Sequence, residues 1–152
     1  MKILTKITFF SLIATAISFI SKAAPLPELK SGMIITQSVQ IKKGTYFLNA
    51  PDSLNTSLIK IEGNNITVDF NNAVLHGSNN KQLPNQFYGL ALHIKGNNIT
   101  IKNAVIRGYK VALMAEGCSN LKIEHCDFSY NYRQQLHSNW QREDISDWMS
   151  FH

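Results

Sequence analysis

From residue 57 onward, apolar side chains fall on alternate positions in short runs, which is the period of a β-strand and not of a helix. Ser57-Ile59-Ile61, Leu90-Leu92-Ile94 and Val111-Leu113-Ala115 form one set of such runs. Ile66 and Val68, Ile99 and Ile101, and Leu121 and Ile123 form a second set. Ala73 and Leu75, Ala104 and Ile106, and Cys126 and Phe128 form a third. The sets recur in the same order, so the chain repeats a unit of three short inward-facing strands separated by bends.

The bends carry their own pattern. Ile61-Glu62-Gly63-Asn64-Asn65-Ile66-Thr67-Val68 returns as Ile94-Lys95-Gly96-Asn97-Asn98-Ile99-Thr100-Ile101, and a looser copy follows at Ala115-Glu116-Gly117-Cys118-Ser119-Asn120-Leu121-Lys122-Ile123. A repeat of this kind outranks other fold signals. Asn98 falls on Asn120, Ala104 on Cys126 and Ile106 on Phe128, a spacing of 22 residues. The first two copies lie 33 apart, so the Pro- and Asn-containing residues 78–87 are expected to form a loop pushed out of the repeat.

Asn65, Asn98 and Asn120 precede the second strand of each unit. Asn tolerates the left-handed backbone that a sharp bend needs, and like side chains stacked in register can hydrogen-bond as a ladder. Asn65-Ile66-Thr67 and Asn98-Ile99-Thr100 are also glycosylation acceptor patterns, as is Asn55-Thr56-Ser57. The repeat accounts for Asn65 and Asn98, so the ladder reading is preferred there. Glu62, Lys95 and Glu116 align, as do Asp69, Lys102 and Glu124. A parallel in-register stack sets such opposite charges side by side, about 4.8 Å apart.

These features resemble the right-handed parallel β-helix proteins of the pectate-lyase-like superfamily. The Gly-x-Asn-Ile-Thr-Ile repeats, the Asn row, the segment Val39-Gln40-Ile41-Lys42-Lys43-Gly44-Thr45-Tyr46-Phe47-Leu48 and the stretch Val68-Asp69-Phe70-Asn71-Asn72-Ala73-Val74-Leu75-His76-Gly77 carry the likeness, over roughly residues 33–132. The expected fold is all-β, a single-stranded right-handed parallel β-helix of about four coils of about 22 residues. The resemblance implies a secreted, periplasmic or cell-surface protein. It also implies an acidic polysaccharide as partner, handled by lyase, hydrolase or C5-epimerase chemistry, with Ca²⁺ as the cofactor of the lyase type. Members that only bind or adhere make a non-catalytic scaffold the alternative. His76-Gly77 is similar to a hydrolase fragment but lacks its partners.

Four segments follow. Lys2 and Lys6 precede an apolar run from Ile7 to Ile20 and then Ser21-Lys22-Ala23, which reads as a signal peptide over residues 1–23. That run is shorter than the roughly 20 apolar residues of a bilayer span. Residues 24–48 form an opening and capping segment, 49–132 the coils, and 133–152 an irregular Trp-containing loop. Beyond Tyr132 the repeat stops without a polar cap, which predicts the N-terminal part of a longer protein.

Charge narrows the partners. Loss of Lys2, Lys6 and Lys22 with the leader takes 15 basic residues to 12 against 10 acidic ones, a net +2, so the basic composition is no argument for nucleic acid. Cys118 and Cys126 would meet an oxidising compartment. Cys126 occupies the Ala104 position and reads as a small buried hydrophobe in preference to a disulfide partner.

Candidate chemistry concentrates where the repeat breaks, because loops on a rigid scaffold carry sites. Arg133, His137 and Arg142 are the catalytic candidates, Trp140 and Trp148 the sugar-stacking ones. Glu143, Asp144 and Asp147 supply hard oxygen ligands of the kind Ca²⁺ requires. The competing reading is a capped polar loop with the Trp rings over the core. His93 and His125 read as surface, Asp127 as outward and solvated, and Arg107 as a surface charge at a bend. Tyr88, Tyr109, Tyr130 and Tyr132 are expected to pack over coil junctions.

Overall fold

The computed structural model describes residues 25–79 and 81–134. Within them the chain is all-β, with two parallel sheets, one turn of 3-10 helix at Pro84–Gln86 and no α-helix. In chain order the strands are β1 (Met33–Ile35), β2 (Val39–Gln40), β3 (Thr45–Phe47), β4 (Ser57–Asp69), β5 (Val74–His76), β6 (Leu90–Lys102), β7 (Val105–Arg107), β8 (Val111–Ser119) and β9 (Lys122–Glu124). The leader expected at residues 1–23 lies outside the described residues.

One sheet runs in the order β1-β4-β6-β8, with β2 also on β4 and β9 also on β6; the other runs β3-β5-β7. Every pairing is parallel. The repeated phrases pair with each other residue by residue, Ile61 with Ile94, Gly63 with Gly96 and Val68 with Ile101. Residues 33–47, upstream of the obvious repeats, already join both sheets: Met33 pairs with Ile59, Val39 with Val68 and Thr45 with Val74. Between β6 and β8 the register slips by one residue, from Lys95–Glu116 to Asn97–Ser119. The looser third copy has one more residue before its bend asparagine, and the β-bulge absorbs it. Cys118 lies in this bulge, its thiol against Ile94 O at 3.3 Å. Cys126 stands in the Ala104 row, with its sulfur accepting from Ala104 N at 3.5 Å, and both thiols are free.

The alternating positions form the core. Ile59, Ile61, Val68, Leu75, Ile94 and Ile101 are fully shielded from water. Burying a side chain of this size stabilises by roughly 1.5–3 kcal/mol. Leu58 and Ala91, at alternate positions to the inward ones, are buried as well, clustered with Ala50. The segment before β4 therefore covers part of that second face. It also corrects the placing of His93 on the surface: Leu54 and Asn55 share a cavity with it, and only 18% of its side chain is exposed.

Close approach at the bends requires glycine. A Cβ on Gly96, whose φ is +130°, would fall onto the carbonyl oxygen of Gly63. Beside it, Asn65, Asn98 and Asn120 adopt φ of 58°, 55° and 54°. Asn98 Nδ2 donates to Asn65 Oδ1 at 3.0 Å, and Asn120 Nδ2 donates to Asn98 Oδ1 at 2.9 Å. A parallel row extends the pattern, with Asn97 N donating to Asn64 Oδ1 and Ser119 Oγ to Asn97 Oδ1.

The aligned charges stand in register, Glu62 opposite Lys95 and Asp69 opposite Lys102, yet the ion pairs form elsewhere. Glu116 takes His93 Nε2 at 3.2 Å, and Glu124 takes Lys122 on its own strand at 3.0 Å. Asp69 is held by side-chain amides: Asn103 Nδ2 donates to Oδ1 at 2.8 Å and Gln40 Nε2 to Oδ2 at 3.4 Å. The Asn103 bond is the largest cause of the lowered Asp69 pKa. A short amide in the bend after β6 reaches the carboxylate without the entropy cost of fixing a lysine.

A candidate ligand groove on the β3-β5-β7 face

Phe47, His76 and Arg107 occupy one row across β3, β5 and β7. Strand spacing places such neighbours about 4.8 Å apart. The Phe47 and His76 rings are 5.5 Å apart between centroids and tilted by 40°. Phe47 is 70% exposed, so a large apolar ring faces water at one end of the row.

The loop expected at residues 78–87 leaves the sheet directly after this row and stands over it. It is internally braced. Asn79 Oδ1 accepts from Lys81 N at 2.9 Å, Gln82 Oε1 from Asn79 N at 3.2 Å and Gln86 Oε1 from Leu83 N at 3.0 Å. Between loop and sheet lie two adjoining chambers. One, of about 340 Å³, is lined by Phe47, Asn49, His76, Ser78, Asn79, Gln82 and Tyr88. The other, of about 290 Å³, shares His76, Ser78, Asn79 and Gln82 and adds Phe87, Arg107, Gly108 and Tyr130.

Arg107 is not the free surface charge that its place at a bend suggested. Its Nη2 donates to Asp127 Oδ2 at 2.6 Å, and its guanidinium carbon lies 5.6 Å from the centroid of the Tyr130 ring. Asp127 is bridged to Val105 on β7, two residues before Arg107. Its other oxygen accepts from Ser129 N at 2.9 Å and from Ser129 Oγ at 2.5 Å. Those two Ser129 bonds, followed by Arg107, hold the Asp127 carboxyl down at about 2. Asp127 is therefore engaged, not merely solvated. Among the described residues, Arg107 Nε and His76 Nδ1 are buried without a hydrogen-bond partner.

The tyrosines divide. Tyr109 is fully buried, its hydroxyl donating to Leu48 O at 2.6 Å, and burial pushes its pKa well above the ordinary phenol range. Its ring occupies the space where Gly77 would carry a Cβ, which gives the glycine of His76-Gly77 a packing role. Tyr130 and Tyr132 are instead 74% and 41% exposed, with Arg107 and Lys110 over their rings. Rings expected to pack over junctions thus stand in solvent, because cations on the neighbouring turn hold them there.

Of the residues marked by sequence, only Arg133 among the catalytic candidates is described. It is exposed, and its backbone N–H donates to Pro84 O at 3.3 Å, tying the end of the described chain to the loop above the groove. His137, Trp140, Arg142, Glu143, Asp144, Asp147 and Trp148 lie outside the described residues. Among the described residues no group of three His, Cys, Asp or Glu converges on one point, and no helix is long and apolar enough to cross a membrane. The groove row was available to sequence reasoning. The alignment that sets Leu75 on Ile106 also sets His76 on Arg107, and the next residues bring in the loop. No family model, curated protein or solved structure matches the chain.

Proposed function

We propose that the protein is an exported right-handed parallel β-helix that binds an acidic polysaccharide in the groove between the β3-β5-β7 face and the loop of residues 78–87. The helix reading is supported by parallel pairings in unbroken sequence order in both sheets, with bend asparagines hydrogen-bonded from one copy to the next. Export is supported by the charged and apolar opening of the chain.

The single observation that carries the ligand class is the groove's lining: an exposed aromatic ring at Phe47, amides at Asn79 and Gln82, and the His76 imidazole beside the Arg107 guanidinium along one row. Aromatic faces cover the apolar side of a sugar ring, amides bond its hydroxyls, and a guanidinium pairs with a carboxylate. Of the two readings, binding without cleavage fits the described residues better. Glycoside cleavage commonly needs a pair of carboxyl groups across the bond, and no carboxylate lines either chamber. Asp127, beside the groove, is committed to Arg107 and Ser129.

Affinity electrophoresis tests this. The protein is expected to be retarded in gels containing pectate or alginate and to run freely in dextran, releasing no unsaturated products or new reducing ends with or without Ca²⁺. Equal mobility in all gels contradicts the ligand class. Released products would move the assignment to a lyase, hydrolase or epimerase that draws on residues 133–152.

A further inference from the structure

The polar lining of the 290 Å³ chamber is biased towards hydrogen-bond donors. Asn79 Oδ1 and Gln82 Oε1 are both taken up by backbone N–H groups of their own loop. An amide whose oxygen is engaged in this way still offers its NH₂ group, and among the described residues no partner takes either one. Arginine has donors only. Of its nitrogens in Arg107, Nη2 is held by Asp127 while Nε has no partner among the described residues, and His76 Nδ1 on the next strand has none among them either. An unpaired buried nitrogen is unfavourable. A small rotation of either side chain into the chamber would exchange that cost for a bond to a ligand.

A space ringed by donors and free of carboxylates suits an acceptor-rich anion. Asp127 is outside the lining, its oxygens turned to Arg107 and Ser129. Its geometry does something else. Fixed by Ser129 on one side, it grips one edge of the guanidinium, while Tyr130 lies beneath. The planar group is thereby held in one orientation, and a pre-oriented guanidinium loses little freedom when it binds.

We infer that this chamber is a subsite for a single oxyanion, a carboxylate or sulfate group on the ligand, bound by Asn79, Gln82, His76 and Arg107, with Asp127 as the positioning residue that aims Arg107. The inference rests on the polysaccharide reading for the identity of the ligand, and on the chamber alone for its charge. It narrows the ligand to a chain whose acid groups are free. A methyl-esterified polymer of the same sugar presents no anion and leaves the donors unmatched.

The test follows backbone amide resonances of the protein while galacturonate, its methyl ester or inorganic sulfate is added. Galacturonate is expected to shift Gly77 and Gly108, which flank the row, and the ester is not. Sulfate shifting the same amides more strongly than galacturonate assigns the anion to a sulfate ester; the reverse order assigns it to a uronate. Asn79→Asp keeps the oxygen that braces the exposed loop and replaces the donor by a carboxylate. It is expected to weaken anion binding about tenfold or more, as is Arg107→Gln, the scale of losing one charge-assisted bond. Asp127→Asn removes a negative charge next to the anion, so simple electrostatics predicts tighter binding. A positioning role predicts weaker binding, restored in part by Asp127→Glu.

Three results overturn the proposal: an ester that binds as well as the acid, an Asn79→Asp protein that binds the anion undiminished, or an Asp127→Asn protein that binds it more tightly. Any of these leaves the polysaccharide reading standing if polymer still binds. Conversely, small-anion binding in the chamber without retention by any polysaccharide supports the subsite and removes the polysaccharide.

Discussion

Among the described residues, six of the eight non-glycine positions with positive φ are asparagine, so the bends of this chain rest largely on one residue type. Asn98 is the middle of the ladder, accepting from Asn120 and donating to Asn65. Replacing it separates its two tasks. Asn98→Gly keeps the left-handed backbone and loses the ladder, for an expected cost of about 1 kcal/mol. Asn98→Ala also places a Cβ in that conformation and should cost about 1 kcal/mol more. Urea unfolding of the two variants measures the difference, and equal midpoints would remove backbone conformation from the account. Asn65, Asn98 and Asn120 were legible in the sequence because they repeat. His125 and Tyr130, with φ of 52° and 57°, were not, since neither residue type announces a left-handed bend.

Asp127 adds a pH dependence at the same scale. Its carboxyl sits at about 2 in the folded protein, below the ordinary value of about 3.9. As pH falls the unfolded chain takes up the proton first, so the stabilisation is fully present above about pH 4 and is lost as pH drops through about 2. The stability difference between wild type and Asp127→Asn should therefore be constant above that range and shrink below it. Urea midpoints measured from pH 6 to pH 2 check this. A gap that does not change with pH would mean that the carboxylate makes no such contacts.

At the scale of elements, the paired strands β4 and β6 tolerate little at their common bend. Gly96→Ala brings a methyl group onto Gly63 O and forces a residue with a side chain into φ of +130°. The expected destabilisation is about 3 kcal/mol or more, since neither backbone can withdraw without breaking the pairing on both sides. Thermal unfolding would show it, and a melting temperature unchanged from wild type would contradict the register described here. The strands themselves were readable from their period of two and from the matched phrases. The finer contacts were not. In-register charges found other partners because His93 and Lys122 lay nearer to Glu116 and Glu124, and amides reached Asp69. The coverage of His93 depended on Leu54 and Asn55, nearly forty residues upstream, which no local pattern connects to it.

For the molecule as a whole, the repeat revealed the scaffold far better than the site. Scaffold information recurs at each copy, whereas Phe47, His76 and Arg107 meet only after residues from separate copies are stacked and a loop is closed over them, with Asp127 reaching Arg107 from the side. The residues singled out beforehand, from His137 to Trp148, were chosen because they break the pattern; the groove residues hide inside it. The central claim is that this row binds an acidic chain through Arg107. Calorimetric titration of polygalacturonate into wild type and Arg107→Gln protein, with thermal melts to confirm that both are folded, tests it most directly. Binding by the wild type and a loss of about tenfold or more in the folded variant is the predicted result. Equal affinity of the two folded proteins, or no binding by either, would contradict it.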